Sequence, residues 1–208
     1  MRKEIKIYIT AVIIVIAASP LIYWVIQNQM NIARSSGPTY YGNYEVNPQH
    51  LRLWTALAAD SWSGMTTGQE WSFTRNLSLK ATITVVNVGS KTFYTEMLLV
   101  DQGETDEGYG FQITSTSPGK VTIRGWSYLE GEQALTSSID KDTNTEINLE
   151  AKKTGLTQID FYVNNFLIGT IKTPNPSQEG ILNIDVTNGV EGGQAEVVFT
   201  DYQVVETT

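Results

Sequence analysis

Few residues in this chain are equipped for chemistry. Cys is absent and His50 is the single histidine. Thiolate nucleophiles, disulfides, Cys or His metal clusters and Ser–His–Asp triads are therefore excluded together. Carboxylates and aromatics remain. Asp101, Glu104 and Asp106 belong to the acidic run DQGETDEG. Its carboxylate and carbonyl oxygens are candidate Ca²⁺ ligands. The spacing is not that of an EF-hand loop, and a solvated turn accounts for such a run equally. Trp62, in the Ser/Gly-rich stretch SWSGMTTG, and Trp126, at the head of the polar segment 127–146, are candidate ligand-binding residues on which a pyranose ring could stack. Burial in a core is the commoner fate of Trp. Trp54 and Trp71 fall in alternating segments and are expected in the core. Asn76-Leu77-Ser78 is a glycosylation sequon, so Asn76 is an acceptor only in a glycosylating host. Nothing calls for a cofactor.

Short strands must position these residues. From Leu51 onward apolar and polar residues alternate, in LRLWT, WSFT, LSLKATITV, YGFQI, VTIRGW, INLEA, QIDFYV, ILNIDV and the segment from Ala195 to Val205. Period two indicates strands with one buried face. The segment TFYTEMLLV is apolar enough to be partly buried on both faces. Between Val163 and Phe166, Asn164-Asn165 supplies the positive φ angles that a two-residue primed hairpin turn requires. About a dozen strands with a turn signal roughly every ten residues point to an all-β sandwich or barrel and not to a βαβ fold.

The amino-terminal stretch is of another kind. Residues 7–26 read IYITAVIIVIAASPLIYWVI, and no charged residue lies between Lys6 and Arg34. Some 20 apolar residues match the hydrocarbon thickness of a bilayer, where only a helix satisfies its own amides. Ile7, Ile13, Ile16, Leu21, Trp24 and Ile26 are the expected anchor residues, with Trp24 at interfacial depth. Arg2, Lys3 and Lys6 hold residues 1–6 on the cytoplasmic or internal side. The competing reading is a signal peptide cleaved near Ala17-Ala18-Ser19, against which the apolar run continues through Ile26. Residues 27–49, with Ser35-Ser36-Gly37-Pro38 and Asn47-Pro48, read as a tether. Within it, Thr39 to Val46 is either an irregular connector or a short strand lying along a neighbour. Residues 50–208 form the sandwich domain.

Net charge is −8 over 208 residues. Four cations, Arg2, Lys3, Lys6 and Arg34, precede His50, so the outer part is more acidic still. Such a domain is repelled by nucleic acid.

The carboxy-terminal third carries a resemblance. The hairpin IDFYVNNFLIGTI, the loop TPNPSQEG, the strand ILNIDV and the closing AEVVFTDYQVVE follow one another as they do at the end of concanavalin A-like lectin/glucanase domains, the laminin-G-like modules among them. Phe93 to Ile113 resembles an upstream section of the same domains, and the match spans residues 51–206. Asn165 departs from it, since the hairpin often has Gly there. The resemblance implies a jelly roll of two curved antiparallel sheets, in a superfamily that holds hydrolases, lectins, adhesion modules and structural proteins. Its β-glucan hydrolases present Glu-x-Asp-x-Glu on one strand. No such triplet occurs. Glu96 is followed at that spacing by Leu98 and Val100, Asp160 by Tyr162 and Asn164. Glu104-Thr105-Asp106 comes nearest, within a glycine-flanked loop, so no catalytic residue is expected and the chain is read as a non-enzyme.

Two functions follow. The first is a single-pass structural or assembly protein, its amino terminus inside, displaying a jelly roll on the outer face of a cell envelope or virion membrane. Its partners would be the lipid bilayer and homo- or hetero-oligomeric neighbours. The alternative is a membrane-tethered carbohydrate-binding adhesion module with a glycan ligand.

Overall fold

Strand-forming residues alternate along almost the whole chain from Leu51 onward, and the computed structural model turns that alternation into two layers. It describes residues 37–207 except 48–49, 58–59, 89–92, 102–106, 118, 130–131, 156, 173–178 and 189–193. The expected anchor residues, together with Glu104 and Asp106, lie outside the described residues. No described helix is long and apolar enough to cross a membrane.

One sheet is built from β1 (Thr39–Tyr41), β4 (Ser61–Ser72), β6 (Tyr94–Asp101), β7 (Gly108–Ser117), β8 (Lys120–Leu129), β9 (Glu132–Asp142) and β13 (Glu179–Asn188). Their spatial order is β1-β4-β13-β6-β7-β8-β9. The other contains β2 (Asn43–Asn47), β3 (His50–Trp54), β5 (Leu77–Val88), β10 (Glu146–Thr154), β11 (Gln158–Val163), β12 (Phe166–Lys172) and β14 (Ala195–Glu206). It is ordered β12-β11-β10-β5-β14-β3-β2. All pairings are antiparallel. We call these the first and second sheets. Alternate residues of both, among them Leu79, Ile83, Leu99, Phe111, Phe161, Ile184 and Phe199, turn inward and make the core.

The sandwich begins earlier than the sequence suggests. Residues 39–47, read as tether, supply β1 and β2, one edge strand for each sheet. Gly42 lies between them at φ 72°, where a Cβ would run into Trp62 O and the Ser63 Cα. It lets the chain cross from one sheet to the other within a single residue. Five exposed-to-intermediate residues of β2 bury too little for periodicity to reveal a strand. Residues 132–142 of the polar segment after Trp126 likewise form a strand, the edge strand β9, whose mostly exposed side chains leave no apolar alternation to read. Asn164 and Asn165 take φ 51° and 66°, the primed turn that their residue types require. Trp71 is in the core, but Trp54 is not. It is half-buried on the outer face of β3, and the Arg52 guanidinium lies 5.1 Å from its ring centroid.

Lys153 closes one end of the core. It is 1 % exposed, and its ammonium donates to Gly155 O at 2.6 Å and to Arg75 O at 3.3 Å. Burial pushes its pKa down. Lys153→Met keeps the apolar stem but leaves both carbonyls without this donor. The loss is partly offset because no charge is then desolvated. We expect a net destabilisation of about 1–2 kcal/mol in urea unfolding. A variant at least as stable as wild type would show that these two bonds hold nothing.

Candidate functional site

The outer face of the first sheet gathers polar and aromatic side chains that the chain keeps far apart. Tyr41 is opposite Gly64, Gly64 opposite Asp185, Asp185 opposite Glu96, Glu96 opposite Gln112 and Gln112 opposite Arg124. One transverse row thus crosses β1, β4, β13, β6, β7 and β8. Directly opposed residues on adjacent strands stand about 5 Å apart, so two carboxyls meet in the middle of the sheet.

Neighbouring side chains hold that pair. The Tyr94 hydroxyl donates to Glu96 Oε1. Gln112 Nε2 donates to Glu96 Oε1 at 3.0 Å and to the Tyr94 oxygen at 2.7 Å. Asn183 Nδ2 donates to Asp185 Oδ2 at 3.1 Å, and Tyr41 Oη donates to Asn183 Oδ1 at 3.3 Å. None of the described ion pairs involves Glu96 or Asp185. Desolvation pushes the Asp185 carboxyl up to about 7, with the charge of Glu96 adding to it. Burial also raises Glu96, against the pull of its bonds from Tyr94 and Gln112. The phenols of Tyr94 and Tyr41 are both raised, first by burial and then by the neighbouring carboxyls.

Aromatic ledges flank the cluster. Tyr41 lies over Gly64, whose missing side chain leaves the room, and its ring centroid is 4.4 Å from that of Trp62. Trp62 is 58 % exposed. On the far side Trp126 stacks on Tyr128 at 6.3 Å and 17°. From β4 to β8 is four strand spacings, roughly 19 Å. Leu98 and Ile181 fall on the same side of the sheet by alternation, but both are buried, 5 % and 4 % exposed. The face therefore offers flat rings at two ends and donors and acceptors in between.

No family model and no curated protein matches the sequence. Solved structures do match. A carbohydrate binding module, CBM66, from Bacillus subtilis aligns over 83 % of this chain and 97 % of its own, with a TM-score of 0.58 at 14 % identity. A legume lectin-like domain from Entamoeba histolytica aligns over 83 % and 91 %, with a TM-score of 0.60 at 13 % identity. The carbohydrate recognition domain of Emp47p aligns over 83 % and 90 %, with a TM-score of 0.62 at 12 % identity. The fold is a concanavalin A-like jelly roll. At these identities the likeness carries the architecture and not the ligand.

Within this jelly roll the expected site residues disperse. Trp62 and Trp126 share the outer face of the first sheet, on β4 and β8. Asp101 does not join them. It is 8 % exposed at the end of β6, its amide donating to Glu107 O at 2.7 Å. Among the described residues no three His, Asp or Glu side chains are grouped to hold a metal. Asn76 Oδ1 accepts from the Gly155 amide at 2.7 Å, and Ser78 of its sequon is buried. Sequence reading missed Glu96 and Asp185 as a pair. Tyr94 and Glu96, like Asn183 and Asp185, are visibly two residues apart and so share a face. That β13 inserts between β4 and β6 is not visible in any local pattern.

Proposed function

We propose that this jelly roll is a non-enzymatic, membrane-tethered carbohydrate-binding module whose ligand lies along the outer face of the first sheet. One observation carries the reading: a hydrogen-bonded carboxyl–amide cluster, Glu96, Gln112, Asn183 and Asp185, half-buried, lies between the Tyr41–Trp62 and Trp126–Tyr128 ledges on one face of the sheet. Sugar rings present an apolar face for stacking and hydroxyls that both donate and accept, and this surface is complementary to both. The distance between the ledges suits an oligosaccharide better than a single ring. Three similar folds bear the names of a carbohydrate binding module, a lectin-like domain and a carbohydrate recognition domain, in keeping with the reading. The tether rests on the apolar run 7–26.

The test is an oligosaccharide panel presented to the full chain in detergent. Binding is expected, with Trp126→Ala weakening it by about 1–2 kcal/mol, roughly 5- to 30-fold. If no glycan binds, or if Trp62→Ala and Trp126→Ala leave affinity unchanged, the reading fails. The assembly role keeps one supporting observation, the exposed Phe166 and Leu167 at the β11–β12 hairpin, 71 % and 56 % exposed. Purification from native membranes in a fixed stoichiometric complex would favour it.

A further inference from the structure

The second sheet has a groove of its own, on the opposite outer face of the sandwich. Its volume is about 240 Å³, and it is formed by β5, β10, β11 and β14. A β-bulge shapes it. Thr200 pairs with Thr82 and Gln203 with Lys80, so Asp201 and Tyr202 together oppose Ala81. The extra residue inverts the alternation of β14. Tyr202 and Val204 pack against the core, while Asp201 and Gln203 line the groove. Asp201 reaches this position at φ 51°, a left-handed conformation uncommon for a residue other than Gly. Bulges that re-aim a side chain recur beside functional sites.

The groups facing this groove define a ligand class. Lys80 and Glu150 neutralise each other at 3.1 Å. That leaves Asp201 as the unbalanced charge among the lining residues, which disfavours phosphate, sulfate and other anions. Tyr162, Asn165, Asp201 and Gln203 make no side-chain hydrogen bond or ion pair with other described residues. Between them they offer one phenol, two amides and a carboxylate, all directed to the same space. Donors and acceptors in equal supply around one aromatic ring match a neutral polyhydroxylated ring. The volume lies below the range of about 300–1,000 Å³ typical of drug-sized pockets and so suits a single ring.

We infer that this groove is a second saccharide site, one ring in size and built from residues independent of the first face. A chain with both sites is bivalent, able to hold two glycans on opposite faces.

The experiment uses the full chain in detergent carrying Trp62→Ala and Trp126→Ala, which disable the first face. Glucose, galactose, mannose and fructose are titrated singly and followed by saturation-transfer NMR and calorimetry. At least one hexose is expected to bind this variant. Adding Asp201→Gly, which also removes the positive-φ constraint on a side chain, should weaken that binding tenfold or more, as should Tyr162→Ala with Gln203→Ala. Near-ultraviolet circular dichroism reports whether each variant keeps its fold. The inference is overturned if no hexose binds, or if Asp201→Gly leaves a bound hexose at unchanged affinity. Oligosaccharide binding by the unaltered chain that is abolished entirely by the first-face substitutions would leave the first reading standing and remove this one.

Discussion

At pH 8 the chain carrying Asp185→Asn is expected to be more stable than the unaltered chain, and below pH 4 the two should coincide. The Asp185 carboxyl is raised from 3.8 to about 7, by burial first and the charge of Glu96 second. The folded state therefore holds a proton that the unfolded state releases, so stability declines as pH rises through the window from about 4 to about 7. The penalty is complete above it. The full shift converts to about 4 kcal/mol, and solvent screening of a residue that keeps part of its surface in water leaves about 2–3 kcal/mol. The charged and titratable groups around it are Glu96, Tyr94 and Tyr41, with Arg124 further along the row. Asn keeps the shape and removes the charge. Urea unfolding at pH 4, 6 and 8 measures the effect. A difference that does not change with pH, or a variant less stable at pH 8, would refute the account of a buried, mutually repelling carboxyl pair. In the proposed site the same titration would switch the Asp185 carboxyl from hydrogen-bond donor to acceptor.

Phe161→Ala is expected to cost about 3–5 kcal/mol. The ring is fully buried between the sheets, edge-on to Phe111 at 5.5 Å and 88°. It occupies the place that a side chain on Gly125 would take, so at this point the ring of one sheet packs directly on the backbone of the other. Truncation leaves a cavity that neighbours on two separate sheets can fill only in part. Five residues on, Phe166 has the same side chain at 71 % exposure, and Phe166→Ala should stay within about 0.5 kcal/mol. Unfolding midpoints at unchanged m-value measure both. Equal effects at the two positions would show that the hairpin's burial is wrongly assigned.

That contrast marks the limit of what local pattern reveals. QIDFYV alternates strictly, so Phe161 is legible as a core residue, and Asn164-Asn165 is legible as a turn. FLIGTI has no alternation, because β12 is the edge of its sheet and several of its side chains meet water. Trp62 and Trp126 could be singled out by residue type and polar surroundings. Their common face could not, since it depends on which strands become neighbours.

Charge, composition and periodicity by themselves determined that the region from Leu51 onward is an acidic all-β sandwich or barrel with neither thiol nor histidine chemistry, carrying a hairpin, a proline loop and two further strands in its last third. These properties are local, carried by alternation, by φ preference and by absent residue types. The tertiary structure decided the pairings: β13 beside β6, which brings Asp185 to Glu96, and the bulge in β14, which turns Asp201 outward. Such contacts join residues some 90 to 120 positions apart. The free energy that selects them is spread over two complete inner faces and leaves no mark at either residue.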